Sequence, residues 1–369
     1  MQLRARVRPQ AVHHCCATCM RRVYQERCRR DEAGRREPRA LLADRAADEQ
    51  GTGARATCEN GTMRIVFAGT PEFAVPSLRA LVDAGYEVLG AITREDAPVG
   101  RKRVLTPSPV AQAADDLGIP VLKANRLGDE ATEWVRDLGA ELGVIVAYGG
   151  LVREPLLSLP EHGWINLHFS ELPRWRGAAP VQRALQAGEQ RLGVAVFRLV
   201  AELDAGDVLT RDARDFAPGT SAGEALTALA ASGTTPLLGA VAALEADPDA
   251  GEPQLGDATY AHKLTREDGR LDPARTADEV LAHWAGVTPE PGAFALHEGQ
   301  PLKIHEMRPR EQDAAGSTGS PGFVRLDGGT AILSLAEGEL ELVRVQPAGK
   351  AAMDGAAWLR GRGGEAELS

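Results

Sequence analysis

Beyond residue 62 the sequence has no cysteine. All five it contains, Cys15, Cys16, Cys19, Cys28 and Cys58, precede Met63. A thiolate nucleophile is therefore excluded from the remaining chain. Long hydrophobic runs are also missing: none approaches the ~18–20 residues a membrane helix needs, and no signal peptide is legible. The cytoplasm is the expected compartment, with no membrane partner. The chain has no Gly-x-Ser-x-Gly, no Walker loop, no H-E-x-x-H, and no G-x-G-x-x-G after its first strand. FAGTP, at the end of that strand, lacks the glycines that bring a pyrophosphate close, which argues against a dinucleotide. What remains is direct group transfer, without a covalent enzyme intermediate and with no metal expected.

What is present divides sharply at Met63. The first 62 residues carry 13 basic residues, all Arg, against 8 acidic ones, a balance of +5. The rest carries 29 against 44, or −15. His13, His14, Cys15, Cys16, Cys19 and Cys28 invite a zinc reading, but their irregular spacing matches no standard finger. An Arg-rich targeting peptide is opposed by the acidic residues of the second half. With no apolar periodicity, residues 1–62 read as a disordered or spurious extension. Met63 then opens MRIVFAGTP, a sensible first strand.

The 369 residues suffice for two domains and a remainder. The 43% hydrophobic and 25% charged contents are ordinary for a globular protein. From Met63, short apolar strands alternate with helices. RIVFA, EVLGAIT, IPVL and LGVIVAY are the strands; residues 71–84, 108–117 and 129–138 are the helices, with Thr70 as N-cap and Gly85 as C-terminal cap of the first. This order predicts an α/β, Rossmann-like, mostly parallel sheet with helices on both faces, over residues 63–250. GVAVFRLV and DVLTRD read as a hairpin joined through ELDAG, and an Ala-rich helical stretch, 221–244, closes the domain. Residues 251–270 read as a linker by their Pro, Gly and Asp content. Residues 271–369 carry short strands between Gly-rich turns, which predicts a small C-terminal all-β, OB-like barrel with a terminal helix over 351–359.

Candidate chemistry gathers at WINLHFSELPRWRGAAPVQ. Asn166 and His168 lie two apart on a strand end, so both point to one face, toward the active-site side of such a sheet. Asn donates a hydrogen bond to a developing oxyanion, and His exchanges a proton near neutral pH. Asp204, 36 positions on, can orient the imidazole or a water. Alone, a strand-end His is more often structural, and an Asp in a DAG turn has a turn explanation. Together they supply the parts for moving an acyl group onto an amine. Arg101, Lys102 and Arg103 form a basic loop near the same strand ends, which either grips phosphates or is a solvated charged loop. Arg174 and Arg176 flank Trp175 close to His168. A body of −15 suits general nucleic-acid binding poorly, so any such partner needs a local patch.

At these residues the chain resembles the formyltransferases that use 10-formyltetrahydrofolate, and within them the branch that formylates methionyl-tRNA. MRIVFAGTPEFAVPSL, DAPVGRKRVLTPSPV, VAYG, INLHFSELPRWRGAAPVQ, ELDAGD, RVQPAGK and AAWLRGR carry the resemblance, over about 300 residues. PRWRGAAP, GRKR and QPAGK separate it from the shorter purine-pathway enzyme. The resemblance implies that Asn166, His168 and Asp204 are catalytic. It places the reduced folate on Ser170, Glu171, Leu172 and Pro173, and the acceptor stem of initiator methionyl-tRNA on the loop of Arg101, Lys102 and Arg103, with Arg174 and Arg176 adding basic surface. The barrel would help hold the tRNA, and a monomer is expected. The family usually has Leu at Glu171, Thr or Ser at Ala195 and an acidic residue at Ala201. Two other readings stay open: a relative acting on a small amine or on water, and a tRNA- or folate-binding protein without catalysis.

Overall fold

The computed structural model describes residues 62–100, 102–310 and 319–369. The zinc and extension readings and Arg101 lie outside the described residues. The catalytic region begins with β1 (Arg64–Gly69), α1 (Val75–Asp83), β2 (Glu87–Thr93), a hairpin of β3 (Ala97–Val99) and β4 (Val104–Thr106), α2 (Pro109–Asp116), β5 (Val121–Lys123) and α3 (Asp129–Leu138). It continues with β6 (Leu142–Val146), β7 (Trp164–His168), β8 (Arg176–Gly177), α4 (Pro180–Gln186), β9 (Arg191–Arg198), β10 (Val208–Asp215), α5 (Ala222–Ser232) and α6 (Thr234–Ala246). Seven strands form one sheet in the order β10-β9-β7-β6-β1-β2-β5. The run from β7 to β5 is parallel, while β9 and β10 add an antiparallel edge.

Strand β1 is buried on both faces. Ile65 and Phe67 enter one core with Leu78, Val110, Leu229, Leu237 and Val241. Val66 and Ala68 enter the other, with Ala131, Val135 and Trp164. That two-sided burial is why the strand reads as a continuous apolar run rather than an alternating one. Each fully buried Ile or Leu contributes roughly 1.5–3 kcal/mol. The chain steps outward from β1 through β2 to β5 and returns at β6, so the topological switch point lies between β1 and β6. Ligands bind at this position in open α/β sheets.

Several local expectations change. Thr70 does not cap a helix; its hydroxyl donates to the Tyr148 carbonyl at 3.1 Å. A 3-10 turn, Glu72–Ala74, precedes α1, whose second residue is Pro76. Proline cannot donate, so the regular ladder starts only beyond it. Gly85 does end α1: the Tyr86 amide reaches the Leu81 carbonyl and the Gly85 amide that of Val82, a Schellman closure. The Ala-rich stretch is two helices meeting at Gly233. Ala222–Ala246 has the length and mean hydropathy, 1.4, of a membrane span, but Leu229, Leu237, Val241 and Leu244 are buried in the core.

Beyond β11 (Tyr260–Ala261) and α7 (Ala277–Val287), the strands are β12 (Phe294–His297), β13 (Gln300–Pro309), β14 (Phe323–Asp327), β15 (Thr330–Ser334), β16 (Glu339–Pro347), β17 (Met353–Asp354) and, after α8 (Gly355–Arg360), β18 (Glu365–Glu367). They pair in the order β12-β13-β16-β15-β14-β18, with β17 on β16. The two ends of this path meet: Leu296 and Ser369 exchange both backbone hydrogen bonds, at 2.7 and 2.9 Å. Inside lies a separate core of Leu302, Ile304, Met307, Leu333, Leu342, Val345 and Trp358, with Trp284 of α7 against it.

Candidate active site

Asn166 and His168 stand at the C-terminal end of β7, opposite Phe197 and Ala195 of β9. His168 is buried, 6% exposed. Its Nε2 lies 2.9 Å from the Trp175 carbonyl oxygen. A carbonyl only accepts, so the neutral ring carries its proton on Nε2 and presents Nδ1 as a lone pair. Nδ1 faces Asp204 Oδ2 across 3.9 Å, too long for a direct hydrogen bond. The imidazole is thus oriented by the Trp175 carbonyl, while the carboxylate supplies charge beside the free nitrogen. Among the described residues the Asn166 side chain has no hydrogen-bond partner, so its amide is available to a ligand.

Asp204 Oδ2 accepts the Gly177 amide at 2.7 Å. Asp204 itself holds φ 47° and Trp175 φ 61°, left-handed conformations that cost a side-chain-bearing residue about 1–3 kcal/mol. Both turns depend on glycines. Gly177 has φ 120°, and a Cβ there would lie 2.8 Å from the Ala261 carbonyl oxygen. A Cβ on Gly206 would overlap the Arg198 carbonyl oxygen.

Asn166, His168 and Asp204 line one cleft of about 1030 Å³. Its walls are residues 147–154, residues 199–203, Phe73 and Phe169, and residues 260–263. Leu151, Leu203 and Tyr260 are about half or more exposed, and Val200 42%, so an apolar surface faces the opening. The stretch 147–150 is braced: Arg94 donates to the Tyr148 and Gly149 carbonyls, and Tyr148 Oη donates to the Ala124 carbonyl at 2.6 Å. Burial pushes the Tyr148 phenol up, keeping it a neutral donor. A large, mostly apolar cleft with a few convergent polar groups is the usual form of a small-molecule site.

Of the other expected site residues Arg176 also lines this cleft, while the rest separate from it. Ser170, Glu171, Leu172 and Pro173 do not line this cleft. Ser170 Oγ donates to the Arg174 carbonyl at 2.6 Å. Leu172 packs on Ala195, Phe197 and Val208. Glu171 turns outward to Arg191, 3.6 Å away. Their loop leads into Trp175, and through its carbonyl to His168: Ser170 and Leu172 are engaged inside the fold, while Glu171 faces outward. Arg176 is a correction to the basic surface: it is buried, and its guanidinium is held by Gln254 at 2.8 Å and Glu202 at 3.4 Å. Arg174 is exposed but bound to Glu189. Lys102 and Arg103 are exposed at the tip of the β3–β4 hairpin, beside exposed Val99, Val104 and Leu105.

The linker does more than connect two domains: it builds the site's back wall. Strands β11 and β8 pair in parallel. The Trp175 amide donates to Thr259 Oγ1 at 2.9 Å, and the Arg176 amide to the Thr259 carbonyl. No local pattern in EPQLGDATY announces these hydrogen bonds, which span 78 to 84 residues.

An open α/β sheet with an amide, an imidazole and a carboxylate gathered beyond its strand ends, over a mostly apolar cleft, defines a group-transfer enzyme. Residues 63–240 match the family model described as formyl transferase, and residues 263–363 the formyl transferase C-terminal domain. The methionyl-tRNA formyltransferase of Leifsonia xyli subsp. xyli (strain CTCB07) is 58% identical over 307 residues, covering 83% of this chain and 100% of that protein. That of Clavibacter sepedonicus is 54% identical over 299 residues, 81% of this chain and 97% of its own length. The chain belongs to the formyl transferase family. Among solved structures, HypX from Aquifex aeolicus in complex with tetrahydrofolic acid has a TM-score of 0.56 at 17% identity, covering 81% of this chain and 47% of that longer one, a likeness of fold.

Proposed function

We propose that this enzyme transfers the formyl group of 10-formyltetrahydrofolate to the α-amine of methionyl-initiator tRNA. The observation that carries the reading is the trio of Asn166, His168 and Asp204 on one cleft, in a chain 58% identical to a methionyl-tRNA formyltransferase along that protein's whole length. The reduced folate suits the mostly apolar cleft, whose lining includes residues 147–152 and 199–203. The folate supplies an activated formyl carbonyl.

The residues divide the work. Asn166 donates its side-chain N–H to the formyl oxygen as negative charge develops there. His168 Nδ1 takes the proton that the attacking amine must lose, while the Trp175 carbonyl keeps Nε2–H in place. Asp204, 3.9 Å from Nδ1, stabilises the imidazolium so formed. The new C–N bond forms at the amine, the old one to the folate nitrogen breaks, and the proton held by His168 passes to that leaving nitrogen.

Lys102 and Arg103, with Arg101 beside them in sequence, are the proposed tRNA contacts, and the barrel is a second support. Arg176 is withdrawn from that surface by its burial. The cytoplasm, where charged initiator tRNA occurs, is the matching compartment, and the enzyme acts as a monomer. The deciding experiment offers 10-formyltetrahydrofolate with four acceptors: methionyl-initiator tRNA, uncharged tRNA, an amino-sugar nucleotide and water. Formylation of the charged tRNA alone is expected. Preferential formylation of the amino sugar, or hydrolysis unaffected by tRNA, would overturn the substrate assignment.

A further inference from the structure

Gln254 lies in the linker and does not line the cleft, yet both ends of its side chain are engaged at the site. Nε2 donates to the Asp204 carbonyl and to the Gly206 carbonyl, each at 2.8 Å. Oε1 accepts from Arg176 Nη2 at 2.8 Å and Nε at 3.2 Å. The amide has one possible orientation, since its flip would set an oxygen against two carbonyls and an NH2 against a guanidinium. Two donors and two acceptor positions are thus filled in a partly buried setting.

The groups held this way are those that set the position of Asp204. Its left-handed backbone is unfavourable for any non-glycine residue and persists only where surrounding contacts over-determine it. Gly177 fixes the carboxylate through its amide. Gln254 fixes the backbone at both ends of the turn formed by residues 204–206. Arg176, adjacent to Gly177 in β8, ties the same glutamine to the strand bearing that amide. Without this bridge, the turn that sets the 3.9 Å separation from His168 Nδ1 loses both hydrogen bonds from the linker.

We infer that Gln254 is a positioning residue for formyl transfer: it clamps the 204–206 turn from the linker and so fixes the Asp204 carboxylate against His168. The inference rests on the reading of Asp204 as catalytic. A role limited to satisfying buried Arg176 is the competing possibility, and two substitutions separate them. Gln254→Glu keeps an acceptor, now charged, for Arg176 while removing the donors to both carbonyls. Gln254→Met keeps length and bulk but removes every hydrogen bond.

The test uses the full-length enzyme with 10-formyltetrahydrofolate and methionyl-initiator tRNA, measuring kcat, both KM values and Tm for the two variants and Asp204→Ala. Small misplacements at a reacting centre can cost ~10²-fold. The clamp therefore predicts kcat roughly 10–100-fold lower in both Gln254 variants, KM values within about twofold of wild type, and a Tm that stays well above the assay temperature, so that the loss is not one of unfolding. Wild-type kcat in Gln254→Glu would overturn the clamp, as would a loss expressed only in KM. Full activity in Asp204→Ala would instead overturn the underlying catalytic reading, so the two failures are distinguishable.

Discussion

Asn166 is the residue whose loss should register most cleanly in the chemistry. Its side chain holds up no other group among the described residues, so Asn166→Ala is expected to leave Tm unchanged. It should lower kcat by about 10²–10³, the usual cost of removing one oxyanion donor. Steady-state formylation beside a thermal melt checks both halves; retained kcat would remove Asn166 from the mechanism. Glu171 gives the opposite expectation. Its carboxylate is partly exposed, lies outside the cleft and faces Arg191, and exposed pairs contribute about 0–1 kcal/mol. Glu171→Leu should therefore change the KM for the folate by less than about twofold and stability by under ~1 kcal/mol. The Asn166–His168 pair is legible in sequence because strand periodicity alone puts residues two apart on one face. Gln254 and Thr259 are not, because they act on residues 48 to 84 positions away, and the Trp175 carbonyl is not, because a backbone group leaves no side-chain pattern.

At the scale of elements, β1, β2, β5 and the helices α1 to α3 follow from hydrophobic periodicity, whereas the short β3–β4 hairpin reads in sequence only as a basic loop. The 3-10 turn before α1 and the break at Gly233 depend on a proline and on packing. The two-residue strands β8 and β11 are too short to have a period. Arg176 reads as a surface residue in sequence for a related reason: its burial depends on β11 and Gln254 closing over it. The β3–β4 hairpin keeps Lys102 and Arg103 in solvent. Lys102→Ala and Arg103→Ala together should weaken charged-tRNA binding while leaving folate binding intact. The slope of log K against log salt should fall by about 2, roughly one unit for each phosphate that the pair neutralises. A salt titration by filter binding or fluorescence reads this directly; an unchanged slope would take the hairpin out of the interface.

For the whole molecule, the catalytic sheet and the barrel have separate cores joined through the linker and its neighbours. Arg183 of α4 binds Asp268 at 3.0 Å. The Thr265 hydroxyl and amide, together with Arg183, hold the Asp268 carboxyl at about 2, below its ordinary 3.8. Because the folded value is the lower one, this contribution is complete above about pH 4 and is lost as pH falls toward ~2. Tm should drop more steeply over that interval in wild type than in Asp268→Asn; parallel curves would show that the ion pair is not coupled to stability. At neutral pH the decisive quantity is transfer itself. The most direct test is the single-turnover rate of formyl transfer from 10-formyltetrahydrofolate to methionyl-initiator tRNA by wild type and His168→Ala, with tRNA binding measured alongside. Removal of the proton acceptor predicts a rate lower by about 10²–10⁴ with tRNA affinity preserved; an undiminished rate in His168→Ala would contradict the mechanism.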